Sequence, residues 1–265
     1  MPHQDLNDLR RTFAEVAELY DRVRPGYPSE MIDDLVTLSG LAPGDAVLEI
    51  GCGTGQATRP LAERGFRIVC VELGESLAEV ARRRLVQYPD VRVVTSAFER
   101  WNPEGRRFDL VLAATAWHWL DPEVRFAKAA SILKPRGSLA IVATHHAFPG
   151  DADPFFAEIQ GTYNEIGEGL DEEWPPPPPE RVPDERAEIE GSGFFSDVHV
   201  RRYVWSETYS EEEYIDLLNT YSGHRRMDAD KREFLYQSIR SHLHARTQPR
   251  VRKHYLNILH VARRR

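Results

Sequence analysis

Ala46–Thr58 reads AVLEIGCGTGQAT, an apolar run carrying Glu49 near its end and then Gly51, Gly53 and Gly55 in quick succession. Glycine accepts positive φ and lets a ligand approach the backbone closely, so GCGTG suits a loop pressed against a cofactor. The run before it is short and apolar enough for a strand buried on both faces, as in a parallel sheet. A dinucleotide turn of the form GxGxxG wants Gly or Ala where this chain has Gln56. Glu49 would also repel a pyrophosphate, whereas it attracts an ammonium or sulfonium. The segment therefore reads as the floor of a nucleotide-like cofactor site whose ligand is cationic at this end.

The second chemical group is Ala114, Thr115, Ala116, Trp117, His118 and Trp119. Small residues let a ligand lie close to the backbone, and the two tryptophans can wall off water. His118, with an ordinary pKa near neutrality, suits a general base or a substrate-orienting group; between aromatics it equally reads as a hydrogen-bonded structural histidine.

Around these groups the periodicity places the supporting elements. A helix is expected from about Gln56 to Arg64, directly after the glycine turn. Upstream, Leu6, Leu9, Phe13, Val16, Ala17 and Tyr20 recur at helical spacing, an amphipathic arm that ends before Arg24-Pro25-Gly26-Tyr27-Pro28. After Val142 a connection opens at His145 to Gly150, Pro154 to Gly169 can hold a helix, and Asp171 to Pro183 is acidic and proline-rich. Its consecutive prolines, Pro175 to Pro179, favour an extended segment, read as a surface loop or lid edge. Ser196 to Trp205 and Tyr255 to Ala262 read as strands six and seven, with two helices between them. Ser210 and Glu213 make a capping box for the first, and Phe234, Leu235, Ile239 and Leu243 stripe the second. These insertions form a cap from which Tyr163, Tyr221, Ser222, His224 and Arg225 can face a substrate, or else serve as packing and surface.

Composition narrows the function classes. A chain of 265 residues can bury one good core and a smaller cap, and Cys52 and Cys70 offer no disulfide framework. Cys52 fits the loop as a small residue, and Cys70 sits mid-strand. No eighteen-residue apolar run exists and MPHQDLNDLRR is too polar for a secretory signal, so a cytoplasmic protein without a membrane partner is expected. A net charge of −8 argues against a broad nucleic-acid surface, and Arg82-Arg83-Arg84 reads as the solvated face of a helix. The ten histidines are scattered, and adjacent His145 and His146 point apart in a strand, so no metal site is expected. A serine hydrolase elbow, GxSxG, is also lacking.

The pattern E-x-G-x-G-x-G after a hydrophobic strand resembles the first motif of class I S-adenosylmethionine-dependent methyltransferases, and similarity in order and spacing runs through roughly the first 145 residues. RIVCVE resembles the second strand, ending at Glu72, 21 positions after Gly51, where a carboxylate can accept hydrogen bonds from both ribose hydroxyls. The resemblance places Leu73 against the adenine, Ala97 and Phe98 beside it after the third strand, and Glu99 as the nearest acidic candidate for the adenine amino group. FDLVLAATAWHWLDP resembles the fourth strand and its loop, and LKPRGSLAIV the fifth. In methyltransferases of this type the YDxxRPxYP segment, here Tyr20 to Pro28, closes over the cofactor, and Arg24 is suited to pair with the methionine carboxylate. Tyr20 and Arg24 equally read as pinning the arm to the sheet.

The resemblance implies a Rossmann-like, doubly wound α/β fold with a seven-stranded, mostly parallel sheet, an antiparallel last strand and a helical cap. Its closest pattern is the small-molecule group that includes trans-aconitate methyltransferase-like proteins. The expected organisation is one domain over 1–265: an arm over 1–30, a cofactor-binding core over 31–145, and cap insertions over 146–195 and 206–250. S-Adenosyl-L-methionine is the implied cofactor, held by Tyr20, Arg24, Glu49, Gly51, Cys52, Gly53, Gly55, Glu72, Leu73, Ala97, Phe98, Ala114 and Thr115. His118 is the catalytic candidate, and Trp117, Tyr163, Tyr221 and His224 are the candidates for binding a small-molecule acceptor in a monomer or homodimer. In-line methyl transfer from a sulfonium has a good leaving group, so a carboxylate acceptor needs positioning and desolvation, whereas a phenol or amine can need a base. A non-catalytic cofactor-binding regulator is the alternative; a nicotinamide oxidoreductase is disfavoured by Gln56 and Glu49.

Overall fold

A computed structural model describes residues 16–169, 174 and 176–265. The first part of the expected arm helix, and Asp171 and Pro175 of the proline-rich segment, lie outside these residues. Seven strands form one sheet in the order β3-β2-β1-β4-β5-β7-β6. They are β1 (Ala46–Ile50), β2 (Arg67–Glu72), β3 (Val91–Thr95), β4 (Phe108–Ala114), β5 (Leu133–Ala147), β6 (Phe195–Ser210) and β7 (Arg250–Arg264). The first five pair in parallel, and β7 runs antiparallel to both β5 and β6.

Both faces of the parallel part are buried, which is why its strands read as continuous apolar runs. Along β1, Leu48 and Ile50 enter one core with Val71, Val111 and Phe126; Val47 enters the other with Ile68, Leu110 and Leu35. The second core lies against α2 (Ser29–Ser39) and the first contains Phe126 of α5 (Arg125–Ile132). Beyond the glycine turn, α3 is confined to Thr58–Ala62, shorter than Gln56 to Arg64, because the chain is still turning through residues 51–57. The described arm helix, α1 (Ala17–Val23), packs on α4 (Glu75–Arg84), where Arg83 pairs with Glu18 and Arg84 with Asp21. Two of the three consecutive arginines thus dock the arm rather than only facing solvent.

The last two strands are longer than the sequence suggested, forming a hairpin paired from Phe195↔Arg264 to Ser210↔Arg250. The expected cap boundary at 206 consequently falls inside β6, and the one at 146 inside β5. Helix α8 (Arg186–Gly191) precedes β6, and three helices rather than two bridge the hairpin: α9 (Glu211–Leu218), α10 (Ser222–Arg226) and α11 (Ala229–His244). Ser210 and Glu213 make both capping-box hydrogen bonds, and Asp228 caps α11 through the amides of Asp230 and Lys231. Leu235, Ile239 and Leu243 are fully buried, each stabilising by about 1.5–3 kcal/mol. Phe234 departs from the expected stripe: it is 45% exposed, and Tyr236 takes the buried place. Together with α6 (Phe155–Glu158) and α7 (Gln160–Glu165), these helices bury a separate aromatic cluster containing Phe155, Phe156, Tyr214 and Tyr255. No helix among the described residues is long and apolar enough to cross a membrane.

Candidate functional site

The parallel register sets Ile50 beside Val71, so the chain leaves β1 next to the end of β2. Gly51 turns there with φ +67°, its N–H donating to the Val71 carbonyl at 2.8 Å. A Cβ at Gly51 would lie 2.6 Å from the Ala116 methyl, so the glycine is required by close approach as well as by conformation. The Gly53 N–H then donates to Glu72 Oε2 at 2.9 Å, and the Gly74 N–H to Oε1 at 2.8 Å. The Glu72 carboxylate retains acceptor capacity for a ligand hydroxyl beyond these backbone donors.

Burial raises the Glu72 pKa, opposed by the backbone donors of Gly74, Gly53 and Leu73. Glu49 accepts a hydrogen bond from Thr58 Oγ1 at 2.6 Å and is buried. Its pKa rises to about 7, chiefly through burial and, with Thr58 opposing, further through the Glu72 charge. Two carboxylates thus share a poorly solvated strand end, an arrangement that favours a cationic ligand.

A cavity of about 310 Å³ opens above these strand ends. Ile50, Val71, Leu73, Leu77, Ala97, Phe98 and Leu120 supply an apolar wall, Glu72 and Ser96 a polar edge, and Tyr20, Arg24, His118, Trp119 and Tyr221 the opposite rim. A smaller cavity of about 60 Å³ adjoins it, with Tyr20, Arg24, Gly51, Gly53, Thr115, Thr144 and Tyr221 lining both. Glu49, Cys52 and Ala114 line only the smaller one, as do Tyr27, Trp205, Tyr255 and Asn257. Arg24 hydrogen-bonds Thr220 through Nε to Oγ1 at 2.8 Å and through Nη2 to the carbonyl at 3.0 Å, and its guanidinium stacks near the Tyr20 and Tyr221 rings. It therefore ties the arm to the cap while bordering both cavities.

Thirteen cofactor-binding residues were expected, and all but Gly55 line one cavity or the other. Gly55 instead shapes the turn, its α-carbon packed toward Leu85. Glu99 lines the larger cavity while its Oε1 accepts the Asp121 N–H at 3.0 Å. His118 is open to solvent at the rim; desolvation against the cavity wall, then the charges of Arg125 and His145, hold its pKa below the usual histidine range. It is therefore a neutral imidazole at neutral pH, the form that can accept a hydrogen bond or, as a weak base, a proton from an acceptor.

The acceptor candidates separate. Tyr221 lines both cavities, but Trp117 is buried in the core beneath, its ring edge-on to Phe126 and covered by Arg125. The three-residue helical turn Trp117–Trp119 explains this: it sends Trp117 inward and leaves Trp119 at the cavity. Tyr163 and His224 line neither cavity and hydrogen-bond each other at 2.8 Å within the cap. The residues missed by the sequence reading come mostly from distant elements, as with Thr144 on β5 and Asn257 on β7; Ser96 at the end of β3 had a positional signal, since it immediately precedes Ala97. Among the described residues no group of three or more His, Cys, Asp or Glu side chains could hold a metal ion.

Residues 47–137 match the family described as "Methyltransferase domain". An uncharacterized methyltransferase of Mycobacterium tuberculosis is 35% identical over 135 residues, 51% of this chain and 53% of that protein. A malonyl-[acyl-carrier protein] O-methyltransferase of Halalkalibacterium halodurans is 32% identical over 147 residues, 51% of this chain and 54% of that protein. The chain thus spans about half the length of these curated relatives. Phosphoethanolamine N-methyltransferase 2 of Haemonchus contortus, solved with phosphomonomethylethanolamine and S-adenosylhomocysteine, matches with a TM-score of 0.56 at 16% identity, over 99% of this chain and 60% of that one. At that identity the likeness is one of fold.

Proposed function

We propose that this chain is a class I S-adenosylmethionine-dependent methyltransferase that transfers a methyl group to a small-molecule acceptor. The observation that carries the reading is the Glu72 carboxylate, fixed by the Gly53 and Gly74 amides at the mouth of an apolar cavity beside the glycine turn. The residues fit the cofactor by class of chemistry: an acidic edge for ribose hydroxyls, an apolar wall for adenine, and a small polar cavity for the amino-acid end. When bound, S-adenosylmethionine supplies a methyl group on a sulfonium, an electrophile that needs no further activation.

The chain's own residues then have positioning tasks. Glu72 holds the ribose, Leu73, Ala97 and Phe98 clasp the base, and Glu49 offers its buried carboxyl to the cationic amino-acid end. Trp119 and Tyr221 at the rim exclude water from the acceptor side, which strengthens the electrostatics inside the cavity. His118 orients an acceptor as a neutral hydrogen-bonding group. In this reading residues 31–145 form the cofactor-binding core, the arm closes it, and the cap defines the acceptor. The modest cavity supports an acceptor group of small-molecule size.

Titration calorimetry with S-adenosylhomocysteine tests the assignment. The wild-type chain is expected to bind one equivalent, and Gly53→Val to lose binding, because a β-branched side chain is strained at φ +58° and its Cβ would project toward the Gln56 and Tyr20 side chains 3.5 Å away; a thermal melt checks that the variant is folded. No binding by the wild-type chain, or full affinity in folded Gly53→Val, overturns it.

A further inference from the structure

The small cavity is bordered by an unbroken line of side-chain hydrogen bonds that begins on the cap-bearing hairpin and ends on the arm. Trp205 Nε1 donates to Asn257 Oδ1 at 2.6 Å, and Asn257 Nδ2 donates to Thr144 Oγ1 at 2.8 Å. Thr144 Oγ1 lies 2.8 Å from Thr115 Oγ1, which lies 3.0 Å from the Tyr27 hydroxyl. An indole N–H can only donate, so it fixes which end of the buried Asn257 amide is oxygen and forces the NH₂ toward Thr144. Thr144 therefore accepts from Asn257, and its own hydrogen goes to Thr115, its other described hydroxyl partner. Thr115 passes its hydrogen to Tyr27 in turn. Every bond runs the same way, the arrangement in which neighbouring hydrogen bonds polarise and strengthen one another.

The Tyr27 hydrogen is left over at the end of the line, on a residue that borders the small cavity. Burial also raises the Tyr27 pKa, so the phenol keeps that hydrogen. Thr115 is itself held at φ +57°, a left-handed conformation that is unfavourable for a β-branched residue, at the point where the line turns from sheet to arm. The same cavity is lined by Glu49 and Arg24, so it presents a carboxyl, a guanidinium and a phenolic donor, the complement of an α-amino acid zwitterion.

We infer that the one-way relay from Trp205 through Asn257, Thr144 and Thr115 fixes Tyr27 as a hydrogen-bond donor to the α-carboxylate at the cofactor's amino-acid end. Tyr27 is then a binding residue, and Asn257 and Trp205 are positioning residues that act through it. The inference rests on the methyltransferase reading, and its test separates the two.

The probes are S-adenosylhomocysteine and its analogue lacking the carboxylate, titrated calorimetrically into the full chain. Tyr27→Phe is expected to weaken S-adenosylhomocysteine roughly tenfold or more while leaving the decarboxylated analogue within about twofold, because a charge-assisted hydrogen bond is lost on one probe only. Asn257→Asp keeps the shape but offers only acceptors, so Thr144 must donate to it; the line reverses and consumes the Tyr27 hydrogen, giving a loss on the order of that in Tyr27→Phe. Thr144→Val breaks the line and Thr144→Ser restores it, with wild-type melting temperature in Thr144→Ser as the folding control. Unchanged affinity in Tyr27→Phe, an equal loss on both probes, or full affinity in Asn257→Asp overturns the relay. A wild-type chain that binds neither probe overturns the methyltransferase reading and the relay with it.

Discussion

The ends of β1 and β2 and the interior of the cap bury ionisable groups of opposite sign for different ends. At the strand ends Glu49 and Glu72 are buried carboxyls, each hydrogen-bonded within the glycine turn and its flanks, and each bordering a cavity. Against the cap's aromatic cluster lie Lys253 of β7, His146 of β5 and His224 of the cap itself, groups whose pKa values burial drives down rather than up. His146 is wedged between Phe148 and Phe156 with its Nε2 unpaired among the described residues, and Lys253 lies over the faces of Phe156 and Tyr255. One region is built from backbone geometry that tolerates little change; the other is an aromatic packing in which polar groups are held at a cost. That contrast gives opposite expectations for mutation and for pH.

The largest effect is expected at the turn. Gly51→Val places a β-branched side chain at φ +67° and its Cβ against the Ala116 methyl, so conformational strain and overpacking together should cost roughly 3 kcal/mol or more. Cofactor binding should vanish, and urea denaturation should show a much lower midpoint; a variant with near-wild-type stability would mean the turn is far softer than the cap. Next in size is Glu72→Gln, in which an NH₂ must face either the Gly53 or the Gly74 amide. Binding of S-adenosylhomocysteine is expected to weaken on the order of 30-fold or more, corresponding to about 2–3 kcal/mol for losing hydrogen bonds to a charged acceptor.

Much of the first region was legible in the chain and little of the second, for a physical reason. Strand β1, the glycine turn and Glu72 are specified by local chemistry: an apolar run, residues that accept positive φ, and an acidic residue a fixed distance on. The positions of Leu73, Ala97 and Phe98 follow because parallel strands of similar length end at one level. Cap contacts depend on register and helix rotation, which leave weak local traces. Tyr163 and His224 were named for facing a substrate, but they meet each other from elements 61 residues apart. Trp117 and Trp119 flank one histidine, yet a three-residue helical turn sends Trp117 into the core and Trp119 to the cavity. Asn257 sits in an unremarkable apolar stretch, and only pairing of β7 with β5, opposite Thr144, brings it to the site.

Acid titration should distinguish the regions by sign. Glu49 is raised from 4.5 to about 7 in the folded chain, so the stability its protonation contributes is fully present below 4.5 and is lost as pH rises through 7. His224 is lowered from 6.5 to about 4, so its neutral form contributes stability above 6.5 that is lost as pH falls toward 4. Between about pH 4.5 and 6.5 the two slopes oppose each other. Glu49→Gln is expected to gain stability relative to wild type as pH rises from 4.5 to 7.5, by an amount on the order of 2 kcal/mol, since a pKa unit is worth about 1.4 kcal/mol. His224→Gln should instead flatten the loss on the acid side. Denaturant unfolding at several pH values measures both, and parallel curves for the two variants would erase the distinction between the regions.

The smallest effect is expected at Lys253, where the sign is the informative part. Its side chain is buried, and its cation–aromatic contacts with Phe156 and Tyr255 only partly replace water. A folded pKa well below 10.5 means that stability is lost as pH falls through the unfolded value, so at neutral pH the lysine is a liability to the fold. Lys253→Met keeps the length and the apolar contact while removing the ionisable group, and should stabilise by about 1 kcal/mol, raising the melting temperature by roughly 2–4 °C. The gain should shrink when the comparison is repeated above pH 10, where the unfolded lysine is itself losing its proton. A stabilised variant that still binds S-adenosylhomocysteine would make the cap the tolerant half of the molecule. A destabilised one would show that Lys253 is balanced by its surroundings in the folded chain, and the contrast with the glycine turn would narrow.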